Sequence, residues 1–128
     1  MWWISRILIA TAGIFHVGFF ALESVFFMSE SIYKLFGAES LEQAKTMQNF
    51  AFNQGFYNLF LAVGVLGGLL FESKWKENVG LSIAVFSSLS MIAAGLVLYF
   101  STGKIVGASV QAGIPMLGLL FLYFSRSK

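Results

Sequence analysis

Four runs of apolar residues, each long enough to cross a bilayer, take up most of this 128-residue chain, at about 2–24, 47–71, 80–100 and 105–124. A helix needs roughly 20 such residues to span the ~30 Å hydrocarbon layer. Inside that layer every backbone polar group must find its partner within the protein, so uninterrupted runs of this kind fold as helices. Composition points the same way: the chain is 58% hydrophobic and 11% charged, with a mean hydropathy of +0.81, whereas soluble domains carry about a quarter charged residues. The expected fold is therefore an all-α membrane protein, an antiparallel up-down four-transmembrane-helix bundle, because the short connections at 72–78 and 101–104 make sequence neighbours antiparallel. One integral membrane domain is expected over 1–128, with an outer loop at 25–46.

Charge placement sets an expected orientation. Arg6, Lys74, Lys76, Arg126 and Lys128 fall on one side of such a bundle, and Lys34, Lys45 and Lys104 on the other. The excess of positive residues marks the cytoplasmic side, so a multi-pass protein of the cell membrane with N- and C-termini cytoplasmic is expected. Trp2, Trp3, Trp75, Tyr99 and Tyr123 lie near the predicted helix ends, where interfacial aromatics collect. The first run continues to about Phe27 with no small-x-small cleavage site behind it, so it reads as a retained helix and not a signal peptide. The net charge of +2 is not gathered into a patch, so nucleic acid is not an expected partner. The chain has no cysteine, so thiol chemistry and disulfides are excluded.

Against this apolar background, a few polar residues stand out. His16 and Glu23 are seven residues apart in the first run; on a helix they share a face but lie ~10 Å apart along the axis. Asn49, Asn53 and Tyr57 form a row at four-residue intervals on the second helix, with Gln54 and Asn58 beside it. With the termini inside, Glu23, the Asn49–Asn58 stretch and Gln111 of the fourth helix all fall in the outer half of the membrane, which predicts a polar pocket there. Pro115 has no N–H to offer the carbonyl of Gln111, so a backbone acceptor and a mild kink are expected at the same level. Buried polar groups in hydrocarbon need partners and often mark function.

The loop at 25–46 carries its own pattern. Ile32, Leu35 and Phe36 share helical spacing with Glu30 and Lys34 between them, as in a short amphipathic turn stopped by Gly37. Ser40 with Gln43 makes a capping box that starts a helix running unbroken into the second span. Such a segment is either an ordered connection or a cap over the outer pocket. Gly64 and Gly68 have the spacing of a small-residue packing motif, used either inside the bundle or, as the alternative, at a homodimer face.

Two functions from different classes fit these residues. In the first, a small polar or amphipathic molecule is bound or transported by His16, Glu23, Asn49, Asn53, Gln54, Tyr57, Asn58 and Gln111. In the second, a membrane-embedded enzyme acts on a lipid or isoprenoid with His16 and Glu23 as general acid and base. A structural or accessory subunit, with these residues holding helices together, is the third reading. One histidine, one carboxylate and amide oxygens are a thinner donor set than zinc sites use, so no metal and no cofactor is expected.

The chain resembles the small bacterial integral membrane family catalogued as domain of unknown function 1304. The matching residues are His16-x6-Glu23, Phe36-Gly37, Asn53-Gln54-Gly55-x-Tyr57-Asn58-x-Phe60-Leu61-Ala62 and Gln111-x-x-x-Pro115. The resemblance covers nearly the whole chain. It implies four membrane helices and no established activity. The loop after the first helix often carries a Thr-Pro pair in that family, where this chain has Ser29-Glu30-Ser31.

Overall fold

The computed structural model describes residues 2–74 and 77–126; for Lys74, Glu77, Arg126 and Ser73 it describes the backbone alone. The expected interfacial role of Trp75 and the orienting charges of Lys76 and Lys128 lie outside the described residues, and the side chains of Lys74 and Arg126 do too. All regular structure among the described residues is helical. Helix α1 covers Trp2–Phe20 and continues into a π-helical turn at Ala21–Val25. Then come α2, Glu30–Leu35, α3, Leu41–Lys74, and α4, Glu77–Thr102. The last helix, α5, is built of Ile105–Ala108, a π turn at Ser109–Gly113, and Ile114–Arg126. Among the described residues four stretches are long and apolar enough to cross a membrane: Trp2–Val25, Leu41–Glu72, Asn78–Thr102 and Ile105–Ser125. Many large apolar side chains stand exposed on them, among them Phe50, Phe86, Phe100 and Val106. Such surface is unfavourable in water and ordinary against lipid.

The local sequence accounts for most boundaries. Gly37, at φ 98°, ends α2 by a left-handed turn: its N–H donates to the Lys34 carbonyl at 3.0 Å, and Ala38 N–H donates to that of Tyr33 at 3.0 Å. The Ser40 hydroxyl accepts the Gln43 N–H at 3.2 Å, and the Gln43 side-chain oxygen accepts the Glu39 N–H at 2.7 Å. These two bonds satisfy donors that an α3 terminus would otherwise leave open. Gly103, at φ 68°, turns the chain between α4 and α5. The π turn of α5 lies just before the fully buried Pro115. A proline cannot donate to the carbonyl four residues back, and a π turn re-spaces those carbonyls without breaking the helix.

The chain divides into two compact units, Met1–Phe15 with Leu61–Lys128, and His16–Phe60. In the first, Ile9, Ala12, Val65, Leu81, Ala84, Met91 and Leu122 form a buried core. Small residues set its spacing. A side chain at Gly68 would meet the backbone of Gly80 and Ala84, and one at Gly64 would strike the Ser87 hydroxyl. Gly13 faces Leu66, Gly95 faces Ala112, and Gly118 faces Ile9. The close approach that the Gly64 and Gly68 spacing offers is thus used by α4 of the same chain. Contacts between the N-terminal part of α1 and the C-terminal part of α3 run in opposite sequence order, Arg6 with Glu72 and Gly13 with Leu66.

Arg6 is the main buried charge of this unit. Its Nη2 donates to Glu72 Oε1 at 2.5 Å, and both side chains are nearly buried. Nη1 donates to the Ser5 hydroxyl at 3.1 Å, and the guanidinium lies 4.3 Å from the centre of the Trp2 ring.

The second unit has a separate core of Phe27, Tyr33, Ala38 and Ala44, with Met28, Phe36, Met47 and Ala51 packed on it. The segment between α1 and α3 is therefore a folded layer on the first turns of α3, not a slack loop. An exposed Glu30–Lys34 pair at 2.6 Å spans one turn of α2. Lys34 holds the Glu30 carboxyl below its usual range, and Glu30 holds the Lys34 ammonium above its own.

Candidate functional site

The polar residues of the second unit gather where the end of α1 meets α3. Glu23 and Ser24 sit in the π turn that ends α1, closed by Phe26 N–H donating to the Ala21 carbonyl at 2.9 Å. The Ser24 hydroxyl donates to the Phe52 carbonyl at 2.9 Å. Gly55 makes this approach possible, since a Cβ there would collide with the Ser24 hydroxyl. One turn on, Asn58 Nδ2 donates to Glu23 Oε2 at 2.7 Å. Asn58 is buried, and its Oδ1 has no hydrogen-bond partner among the described residues. π turns inside α-helices are frequent at functional sites because they re-aim side chains.

Beside this contact lies an open groove of about 630 Å³, lined by Glu23, Phe27, Phe36, Met47, Phe50, Ala51, Asn53, Gln54 and Tyr57. Its volume lies within the ~300–1,000 Å³ of small-molecule sites. The polar groups are one carboxylate, two carboxamides and a phenol; the rest of the wall is aromatic or aliphatic. Phe27 and Phe36 lean on each other with ring centres 6.1 Å apart. Phe56, behind the groove, packs on Phe20 at 5.1 Å and Phe52 at 4.9 Å. Among the described residues no lysine, arginine or histidine lines the groove.

The sequence-predicted residues divide by place. Glu23, Asn53, Gln54 and Tyr57 share the groove, and Asn58 holds Glu23 from the buried side. Asn49 is exposed and off the lining. His16 is fully buried, edge-on to Phe19 at 5.4 Å, and also off the lining. Gln111 is buried in the other unit, in the π turn before Pro115. The Asn53–Tyr57 row does not lie on the packed side of α3. Tyr57 is 64% exposed and Asn53 and Gln54 are exposed too, while Gly55, Asn58, Ala62, Val65 and Gly68 are buried. The cause is steric: α3 presents Gly55 to α1 because the side without a Cβ allows the closest approach, and that choice rotates Asn53 and Tyr57 to the groove.

Sequence reasoning passed over the apolar wall, Phe27, Met47, Phe50 and Ala51. In a chain with 15 phenylalanines no single one stands out. Phe36-Gly37 was the one available signal: the glycine makes the reversal that returns Phe36 over the start of α3.

The sequence profile of a protein family described as "Protein of unknown function (DUF1304)" matches residues 10–123, and the chain belongs to that family. No curated protein and no solved structure matches it.

Proposed function

Starting from a chain that belongs to a family with no assigned activity, we propose that it is a membrane protein that binds a small amphipathic molecule in the groove of residues 23–57. The observation that carries this reading is the make-up of the groove: a carboxylate, two carboxamides and a phenol at one open site, walled by Phe27, Phe36, Met47 and Phe50. Pockets that hold small molecules combine apolar walls with a few placed polar groups.

The length of α3 supports an amphipathic occupant. Its 34 residues are about 51 Å long, well beyond the ~30 Å hydrocarbon layer. Its first half, from Leu41 to Asn58, carries most of its polar residues, and the glycine-rich stretch from Leu59 to Phe71 is apolar. A groove at this change of polarity can hold a head group at the polar residues and a tail against the rings. On the Lys and Arg distribution we place the groove on the outer side of the cell membrane with both termini inside. Acid–base catalysis by His16 and Glu23 has less support, because the groove holds Glu23 without the histidine.

Native mass spectrometry of gently extracted full-length protein tests the binding reading. Wild type and His16→Ala, which alters a residue off the groove, are expected to carry the same bound molecule. Asn53→Ala and Phe50→Ala are expected to lose it. A folded Asn53→Ala, Phe50→Ala double variant that still carries it would remove the groove from the argument.

A further inference from the structure

Glu23 is the one acidic side chain among the described residues that line the groove, and its neighbours bring it no cation. Asn58 donates to it as an uncharged amide at 2.7 Å, and among the described residues no lysine or arginine lies within ion-pairing distance. The other acid of the α1–α3 pair, the nearly buried Glu72, is met by a guanidinium. The chain thus supplies a cation to one acid and leaves the other facing an open groove.

The walls around Glu23 suit the same charge. Phe27, Phe36, Phe50 and Tyr57 present aromatic rings, whose faces attract cations and most of all weakly hydrated ammonium groups. Behind the carboxylate, the buried Asn58 Oδ1 is a further acceptor with no protein donor among the described residues. Among the described residues the groove offers no cationic side chain to a phosphate or carboxylate.

We infer that the molecule bound in this groove is an amphiphile with a net positive, ammonium-type head group seated against Glu23 and the surrounding rings. This rests on the binding reading above and narrows it to one charge class. A zwitterionic phospholipid shares the ammonium but also brings a phosphate, which here meets only carboxamides and a carboxylate.

Four probes of equal chain length separate the cases: octyltrimethylammonium, octylphosphocholine, octanoate and octanol. Each is measured by equilibrium dialysis against full-length protein in dodecylmaltoside micelles, with empty micelles as the blank. The cation is expected to bind saturably about tenfold tighter than the other three, which corresponds to about 1.4 kcal/mol. Glu23→Gln is expected to abolish that advantage and leave octanol unchanged. Its amide oxygen can still accept from Asn58, so the fold is retained, and a circular dichroism melt checks this. Octylphosphocholine binding as tightly as the cation would overturn the net-charge requirement and point to a phospholipid. Equal saturable binding of octanol or octanoate, weakened by Phe50→Ala, would overturn the cation and leave the groove standing. A cation preference unchanged in Glu23→Gln would overturn the role of the carboxylate. Saturable binding of none of the four would overturn both the cation and the groove.

Discussion

Helices α1 and α3 carry two acid contacts of opposite construction. In the first unit α3 contributes the acid, Glu72, and α1 answers with Arg6, itself bonded to Ser5 and lying over the Trp2 ring. In the second unit α1 contributes the acid, Glu23, and α3 answers with Asn58. The first contact is closed electrostatically: a buried anion meets a buried cation with ring and hydroxyl support. The second satisfies a hydrogen bond but brings no cation to the acid. A closed pair holds helices together, and an open one is available for a ligand. The difference teaches that burial of an acid in a membrane helix is not by itself a sign of function, and that the nature of its partner separates the two cases.

The largest test breaks the closed contact. Arg6→Met leaves Glu72 without its cation in a nearly buried site, a change that costs about 3–5 kcal/mol in buried pairs. The melting temperature in detergent is expected to fall steeply, and Arg6→Met with Glu72→Met together is expected to recover most of the loss. If the double variant melts as low as the single, the pair is not the origin of the effect.

A second test concerns the packing that brings the helices together. Gly68→Val drives a branched side chain into the backbone of Gly80 and Ala84, whereas Gly67→Val meets open space. Overpacking of this kind costs about 1–3 kcal/mol, so the first variant is expected to be destabilised and the second to melt like wild type. Equal melting of the two would show that α4 does not set the demand for glycine.

Giving the open contact a cation makes it resemble the closed one. Asn58→Lys places an ammonium beside Glu23, and octyltrimethylammonium binding is expected to fall about tenfold, the same 1.4 kcal/mol scale as loss of the carboxylate charge. Unaltered binding in a folded Asn58→Lys protein would contradict the reading of Glu23 as an acid left without a cation.

The smallest effect is expected at the exposed Glu30–Lys34 pair. The lowered Glu30 means that its contribution is present at neutral pH and is lost as pH falls through that lowered value. The raised Lys34 means the complementary loss as pH rises through the raised value. Both groups are open to solvent, where such pairs contribute little. Lys34→Ala is expected to leave the melting temperature at pH 7 unchanged, and a clear drop would assign α2 a larger share in the second core.

How much of this was legible beforehand differs by element. The four spanning helices follow from the runs of apolar residues, and their observed limits extend the expected ones by a few residues. The cap at Ser40 and the stop at Gly37 were readable because each depends on one side chain or its absence acting on the nearest backbone. The closeness of Glu23 to Asn58 was foreshadowed only in part: both residues were picked out, but their pairing depends on the π turn at Ala21–Val25, for which the sequence carries no local signal. The orientation of Asn53 and Tyr57 was not legible, because the approach of Ser24 to Gly55, and not polarity, selects which face of α3 is packed.

The sequence by itself determined the helical class, the places where helices start and stop, and which polar residues stand apart from the apolar background. Those properties depend on local sterics, on backbone hydrogen bonding and on the length of uninterrupted apolar chain. The tertiary structure alone decided which acid received a cation and which was left to an amide. It also decided that Gly55, and not a polar residue, faces Ser24, and that Phe36 and Phe50, distant from Glu23 in sequence, wall the groove beside it. These follow from close approach between segments far apart in the chain, and a spacing of residues along one helix does not contain that information.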